Sequence, residues 1–397
     1  MRVRGREELI NLINRALDIQ GFLRSVEPIV SDVRARGDAA VIEYTRRFDG
    51  VSLSRLSVDH EELGRISEGV DEEVRHHIDQ AMDSVRTLYE LMKPPNVVHV
   101  YNGVERSVRW IPIRSVGIYV PRGYFSTLIM TGVIARVAGV EELVVTTPPN
   151  KDGGISPEVA YVAFKLNARV YRVGGPMAIA AMAFGTESVP RVDKIVGPGN
   201  LYVQAAKLVV SPFVGIDGFE GPTELVVCTS PGQNPGMVAL DLAAQLEHSG
   251  AVGVVMTWDE DYLRKVEEEI DGLTNAPYFS ILVSGPRECV ELINELSPEH
   301  ASLWGLGDYV GYVRNAGAIS VDTPSALIDY VAGPSHVLPT SGSARWRGTL
   351  TVLDFMKPLA TVRVVSGESS RGMFMTGHKL ALREGFRIHA KSLLPTE

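Results

Sequence analysis

Cysteine is nearly missing from this chain of 397 residues, which has only Cys228 and Cys289. Two thiols exclude a disulfide-rich scaffold, a four-cysteine zinc site and a cysteine-bound iron–sulfur centre. They leave room for one disulfide, although a reducing compartment is the simpler reading. Long apolar runs are lacking as well. The stretch GVIARVAGVEELVV is broken by Arg136, Glu141 and Glu142, so no segment is expected to span a bilayer. The opening MRVRGREELINLI carries charges where a secretory signal needs an apolar centre, and a cytoplasmic location is expected. Basic residues are in deficit. A net charge of −9 argues against a general nucleic-acid binder. Finally, the nucleotide fingerprints GxGxxG and GxxxxGK[ST] are both missing.

What is present is a patterned globular sequence, too long for one ordinary core. Over the first hundred residues, EELINLINRALDI, VEPIVSDVRARGDAAVIEYTRRF and DEEVRHHIDQAMDSVRTLYELM repeat apolar residues at three-to-four spacing, which predicts helices. From VHVYNGVERSVRWIPI the pattern turns to strands. Short β-rich runs then alternate with helical ones in two successive sets: SVGIYV to KIVGPG, and TELVVC to AISV. Such alternation predicts α/β units with parallel sheets, in two tandem domains. From about Pro339 the chain has a loop, SGSARWRG, and a last helix through FMTGHKLALREGF. The turns VGG (173–175) and VGPGN (196–200) follow predicted strands. Taken alone they are equally well structural.

Four histidines stand in unusual polar settings: His248 in QLEHSG, His300 in SPEHASLW, His336 in GPSHVLPT and His378 in MTGHKLAL. Gln245 and His248 are three apart and would share one face of a helix. They can offer an amide oxygen and an imidazole, and Asp329 with His378 can complete a nitrogen and oxygen donor set for a divalent ion. The plainer alternative is a capped helix end. Glu299 and His300 are adjacent, and in a turn both can face one cleft. An imidazole can take an alcohol proton and a carboxylate can activate water. The plainer alternative is a surface turn.

Taken together, VGIYVP, AFGTESVPRVDKIVGPGN, EGPTEL, QLEH, SPEH, DYVAGPSHVLPT and GHK closely resemble the histidinol dehydrogenase family, over roughly residues 25–385. The resemblance implies a zinc-dependent, NAD+-linked homodimer that oxidises L-histidinol to L-histidine through an aldehyde, the last step of histidine biosynthesis. It implies two incomplete Rossmann-like domains, which accounts for the missing GxGxxG. A helical N-terminal region would cover 1–110, a first Rossmann-like domain on the cofactor side 111–222, a second with the zinc and acid–base groups 223–338, and a C-terminal tail in dimer contact 339–397. By the same resemblance the zinc ligands fall on Gln245, His248, Asp329 and His378, the last donated by the partner subunit. His300 is then the base for the alcohol and Glu299 activates the water. Thr223 and His336 meet the substrate, as do the zinc ligands and His300, and Tyr119, Met177 and Asn200 line the cofactor.

Departures from the family pattern bear on the substrate. Met177 replaces a cofactor-contacting Gln, Thr223 a Ser, and Met373 a substrate-contacting Glu, while Arg122 stands in a shortened loop after IYVP. Arg122 and Met373 would suit an anion-bearing substrate, so the alternative is a zinc- and NAD-dependent dehydrogenase of the same fold for another small polar alcohol, such as a sulfonated diol. A non-catalytic zinc-binding relative is a third reading.

Overall fold

The computed structural model describes residues 6–13 and 19–394. The expected N-terminal helices are found at Arg6–Ile13, Ile19–Arg36, Asp38–Phe48 and Glu72–Leu91, and a further short helix, His60–Ser67, was not expected. Part of the EELINLINRALDI helix, residues 14–18, lies outside the described residues. Burial explains the periodicity: Val26, Val30 and Val33 of one helix and Ile78, Met82, Val85 and Tyr89 of another line their inward faces.

Two parallel sheets organise the larger of two compact units, made of the residues up to Met92 together with Ile113–Phe355. In the first sheet the parallel strands are Ser115–Tyr119, Glu142–Thr147, Arg169–Arg172, Lys194–Val196 and Gly215–Ile216. They lie in the spatial order third, second, first, fourth, fifth. A two-residue strand from the otherwise helical N-terminal region, Ser57–Val58, adds an antiparallel edge beside Arg169–Arg172. It is too short to leave a signal in the sequence.

The second sheet contains Glu224–Thr229, Val252–Thr257, Tyr278–Leu282, His300–Trp304 and Ala318–Val321. All its pairings are parallel, in the same spatial order. Alternate residues of the central strand serve opposite faces. Leu225 and Val227 pack with Val238, Leu242, Leu263 and Val266, whereas Val226 and Cys228 pack with Cys289, Leu292 and Ile293. This doubly wound strand order is that of nucleotide-binding α/β folds, and its switch point lies between the first and fourth strands.

The second unit combines Lys93–Pro112 with the chain from Met356 onward. Its antiparallel sheet pairs Val104–Pro112 with both Val97–Tyr101 and Met356–Val364, and the helix Gly367–Arg383 follows. The strand Met356–Val364 is missing from the sequence expectation. Eight of its nine residues are exposed, so it lacks the apolar alternation that marks a half-buried strand.

Cys228 and Cys289 form a disulfide, with Cα atoms 6.1 Å apart and both side chains buried. Of the two readings that a pair of cysteines leaves open, this is the single disulfide. The residues are 61 apart in sequence and meet only because the helix Pro286–Leu296 packs on the central strand.

Candidate active site

Segments distant in sequence meet at the amino ends of the second sheet. Glu299 immediately precedes the strand His300–Trp304, and His300 opens it beside Leu225 of the central strand. Both side chains are buried, at 9% and 2% exposure, which overturns the surface-turn alternative. The Glu299 carboxylate accepts a hydrogen bond from the Glu224 backbone N–H at 3.2 Å. Burial drives its pKa well above the carboxylate range. Burial also raises the neighbouring Glu224, to about 7, although the Ser341 backbone N–H donates to that carboxylate. The same desolvation lowers His300 to about 4, so its imidazole is neutral at pH 7 and able to accept a proton. Its Nε2 lies 3.4 Å from Asp329 Oδ1, while Nδ1 is buried without a hydrogen-bond partner.

Asp329 is the hub of this group. It sits on the short helix Ala326–Tyr330, and its Oδ2 accepts from Gln245 Nε2 at 2.6 Å. Its backbone carbonyl engages His336 Nδ1 at 2.8 Å, which leaves His336 Nε2 for another partner. Gln245 is the last residue of the helix Pro235–Gln245. The expectation that Gln245 and His248 share a helical face is therefore corrected. The helix stops, and His248 lies in an exposed turn closed by its own N–H on the Gln245 carbonyl.

Two supporting residues escaped the sequence reading. Asp241, one turn before Gln245, is buried, and its Oδ1 accepts from both the backbone N–H and the hydroxyl of Ser325, each at 2.7 Å. Ser325 begins the Asp329 helix, and its hydroxyl accepts from Gln245 Nε2 at 3.2 Å. Asp241 thus fixes both Gln245 and Asp329. The i, i+4 spacing in DLAAQ was the available signal.

A second group of residues lies at the carboxyl ends of the first sheet. Tyr119 closes its strand, and its buried hydroxyl accepts from the Gly175 N–H at 3.3 Å, with burial raising its pKa to about 12. Gly197 follows the neighbouring strand with φ at 116°, and a Cβ there would lie 2.3 Å from the Tyr119 carbonyl oxygen, so only glycine fits. Asn200 caps the helix Leu201–Val210, its side-chain oxygen accepting from the Tyr202 and Val203 N–H groups. Met177 is 1% exposed and packs in the core of this region, its sulfur near the Gly175 turn.

The family model described as histidinol dehydrogenase matches residues 13–394. The chain belongs to the histidinol dehydrogenase family. The histidinol dehydrogenase of Saccharolobus solfataricus is 43% identical over 96% of this chain and 96% of its own. That of Pyrobaculum aerophilum is 42% identical over 94% and 98%. The crystal structure of histidinol dehydrogenase from Elizabethkingia anophelis superposes with a TM-score of 0.91 at 29% identity, covering 99% of this chain and 96% of that one. The chain is accordingly an NAD-dependent oxidoreductase, and the relatives do not favour the alternative of another polar alcohol. Arg122 agrees, because its guanidinium is already paired with Asp49 at 2.9 Å.

A zinc ion of the kind the family implies needs nitrogen and oxygen donors. Among the described residues no cluster of three or more His, Cys, Asp or Glu can hold a metal. The larger unit instead offers His248, Asp329 and the amide of Gln245, whose nitrogen is spent on Asp329 and Ser325, leaving its carbonyl oxygen for another partner. His378 belongs to the second unit, on the helix Gly367–Arg383 that also carries Met373. Its Nδ1 engages the Ala390 carbonyl at 2.8 Å, which sets the tautomer and leaves Nε2 as a donor to a metal. The donor chemistry fits zinc. No helix among the described residues is long and apolar enough to cross a membrane.

Proposed function

We propose that the chain oxidises L-histidinol to L-histidine through the aldehyde, consuming two NAD+, with His300 and Glu299 as its acid–base pair. The carrying observation is the convergence of three segments: His300 Nε2 faces Asp329 Oδ1, and Asp329 Oδ2 is held by Gln245. Gln245, His248 and Asp329 of one protomer would hold zinc, with His378 contributed by the partner subunit of a homodimer. When bound, zinc anchors and polarises the substrate while NAD+ accepts each hydride.

The protein's own groups handle the protons. Neutral His300 takes the hydroxyl proton at Nε2, the nitrogen facing Asp329. Its lowered pKa keeps it unprotonated and ready at neutral pH. Glu299 then takes a proton from the water that adds to the aldehyde, and its raised pKa makes it a stronger base than an exposed carboxylate. Thr223, just before the central strand, keeps the hydroxyl that a family Ser would present to the substrate. Its backbone carbonyl is fixed by the Val252 N–H at 2.8 Å. His336, oriented by the Asp329 carbonyl, presents Nε2 to the same ligand. Tyr119 and Asn200 line the cofactor, with Met177 shaping the Gly175 turn from below. A cytoplasmic enzyme fits this NAD+ dependence, and the buried disulfide is shielded from thiol exchange.

The test is the His300→Ala variant. Its kcat should fall about 10²- to 10⁴-fold, the usual worth of a general base, with its zinc content unchanged. Wild-type turnover in that variant would remove His300 from the mechanism.

A further inference from the structure

Beyond this acid–base machinery lies a buried polar network that none of the proposed steps uses. The helix Leu201–Val210 starts at the Gly197–Asn200 turn, and two of its residues, Gln204 and Lys207, are wholly buried. They are three apart, so both reach back along one face. Lys207 Nζ donates to the Gly197 carbonyl at 3.2 Å and to Glu220 Oε2 at 2.6 Å, and it pairs with Asp217 Oδ1 at 2.5 Å. Gln204 Nε2 donates to the Gly199 carbonyl at 3.4 Å, while its Oε1 accepts from the Glu220 N–H at 3.1 Å.

The other side of the turn is held too, since Asp217 Oδ2 accepts from the Gly197 N–H at 2.7 Å. Arg347 completes the charge balance by donating to Glu220 Oε1 at 3.3 Å and to the Asp217 carbonyl at 2.9 Å. Two cations thus meet two anions. Burial opposes the Lys207 charge, but the Asp217 and Glu220 carboxylates more than offset it and raise its pKa. The chain continues directly from Glu220 into Gly221, whose N–H donates to Thr340 Oγ1, and then to Thr223 and Glu224 at the mouth of the second sheet.

We propose that Gln204 and Lys207 are positioning residues that clamp the Gly197–Asn200 cofactor turn onto the Asp217–Glu220 segment, and so fix the cofactor against the substrate loop. The clamp grips two carbonyls of the turn from one helix face. It spends four of its five contacts on the turn and on Glu220, a pattern that core filling alone does not require. A buried charge costs more than an apolar side chain of the same volume, and this one is directed at a glycine turn. The inference rests on the reading of Gly197–Asn200 as the cofactor turn.

The experiment uses the zinc-loaded full chain and measures KM for NAD+ and for L-histidinol separately. Gln204→Met is nearly isosteric and leaves the charges paired. Lys207→Met combined with Glu220→Gln removes one charge of each sign, so the buried site stays balanced. In both variants KM for NAD+ should rise about tenfold, the cost of freeing one or two buried hydrogen bonds, with KM for L-histidinol moving less than about twofold. A lowered melting temperature with both KM values unchanged would reduce the network to a structural role and overturn the proposal. Asn200→Ala is measured alongside. If it raises KM for NAD+ while the clamp variants do not, the clamp alone is refuted. If it leaves KM for NAD+ unchanged, the cofactor-turn reading falls and the clamp with it.

Discussion

In the first sheet the candidate cofactor residues follow the carboxyl ends of the two strands at the switch point: Tyr119 ends one, and Gly197–Asn200 follows the other. In the second sheet, built in the same strand order, Glu224 and Glu299–His300 stand at the amino ends of the corresponding pair. Helix direction gives this difference its meaning. After a carboxyl end comes a helix N-terminus, such as that of Leu201–Val210, whose positive dipole end suits an anionic pyrophosphate beside its Asn200 cap. Before an amino end lies a helix C-terminus, such as that of Pro235–Gln245, whose negative dipole end suits a cation. One topology used twice therefore provides an anion end and a cation end, and the segment 217–224 carries the chain from one to the other.

Breaking the cation end should cost most. Glu299→Gln should lower turnover of supplied aldehyde about 10²- to 10⁴-fold, while a single turnover of L-histidinol still yields one NADH. Equal loss in both half-reactions would contradict the division of labour between Glu299 and His300. Next comes the disulfide that ties the central strand to the helix leading into Glu299. Replacing Cys228 and Cys289 together by Ala should remove about 4 kcal/mol, the loop-closure value for their separation of 61 residues. Urea unfolding measures this, and an unchanged midpoint would show the bridge to be dispensable.

A smaller effect is expected one layer behind the ligands. Asp241→Ala should weaken zinc binding about 10- to 100-fold in a chelator competition, the usual cost of losing such support. Wild-type zinc affinity would mean that Ser325 and Gln245 hold their places unaided. The anion end should be least sensitive at Met177. A volume-conserving Met177→Leu change should shift KM for NAD+ by less than about twofold, because the side chain is buried in the core. A larger shift would mean that the thioether contacts the cofactor.

How much of this was readable in the sequence differs along the same line. Elements with strong periodicity, from Glu72–Leu91 to Pro286–Leu296, were predicted as helices because their buried stripes are long. The strand Met356–Val364 was not, because both its faces are exposed and its order comes from pairing with Val104–Pro112. The pairing of Gln245 with His248 was inferred from helical spacing, yet the helix ends between them and a turn carries His248. Asp241 and Ser325 were missed because their task appears only when the helix Ala326–Tyr330 is placed beside Pro235–Gln245. The disulfide needed packing across 61 residues, which no local pattern encodes. Family motifs compensated for some of this, since they mark residues by type where geometry is invisible.

The most direct test of the account is a count of NADH formed per L-histidinol consumed, using zinc-loaded protein, excess NAD+ and limiting L-histidinol. An acid–base pair serving two successive oxidations predicts about two NADH for each molecule, with L-histidine as the product. A ratio of one with aldehyde accumulating, or no NADH at all with zinc bound, would contradict it.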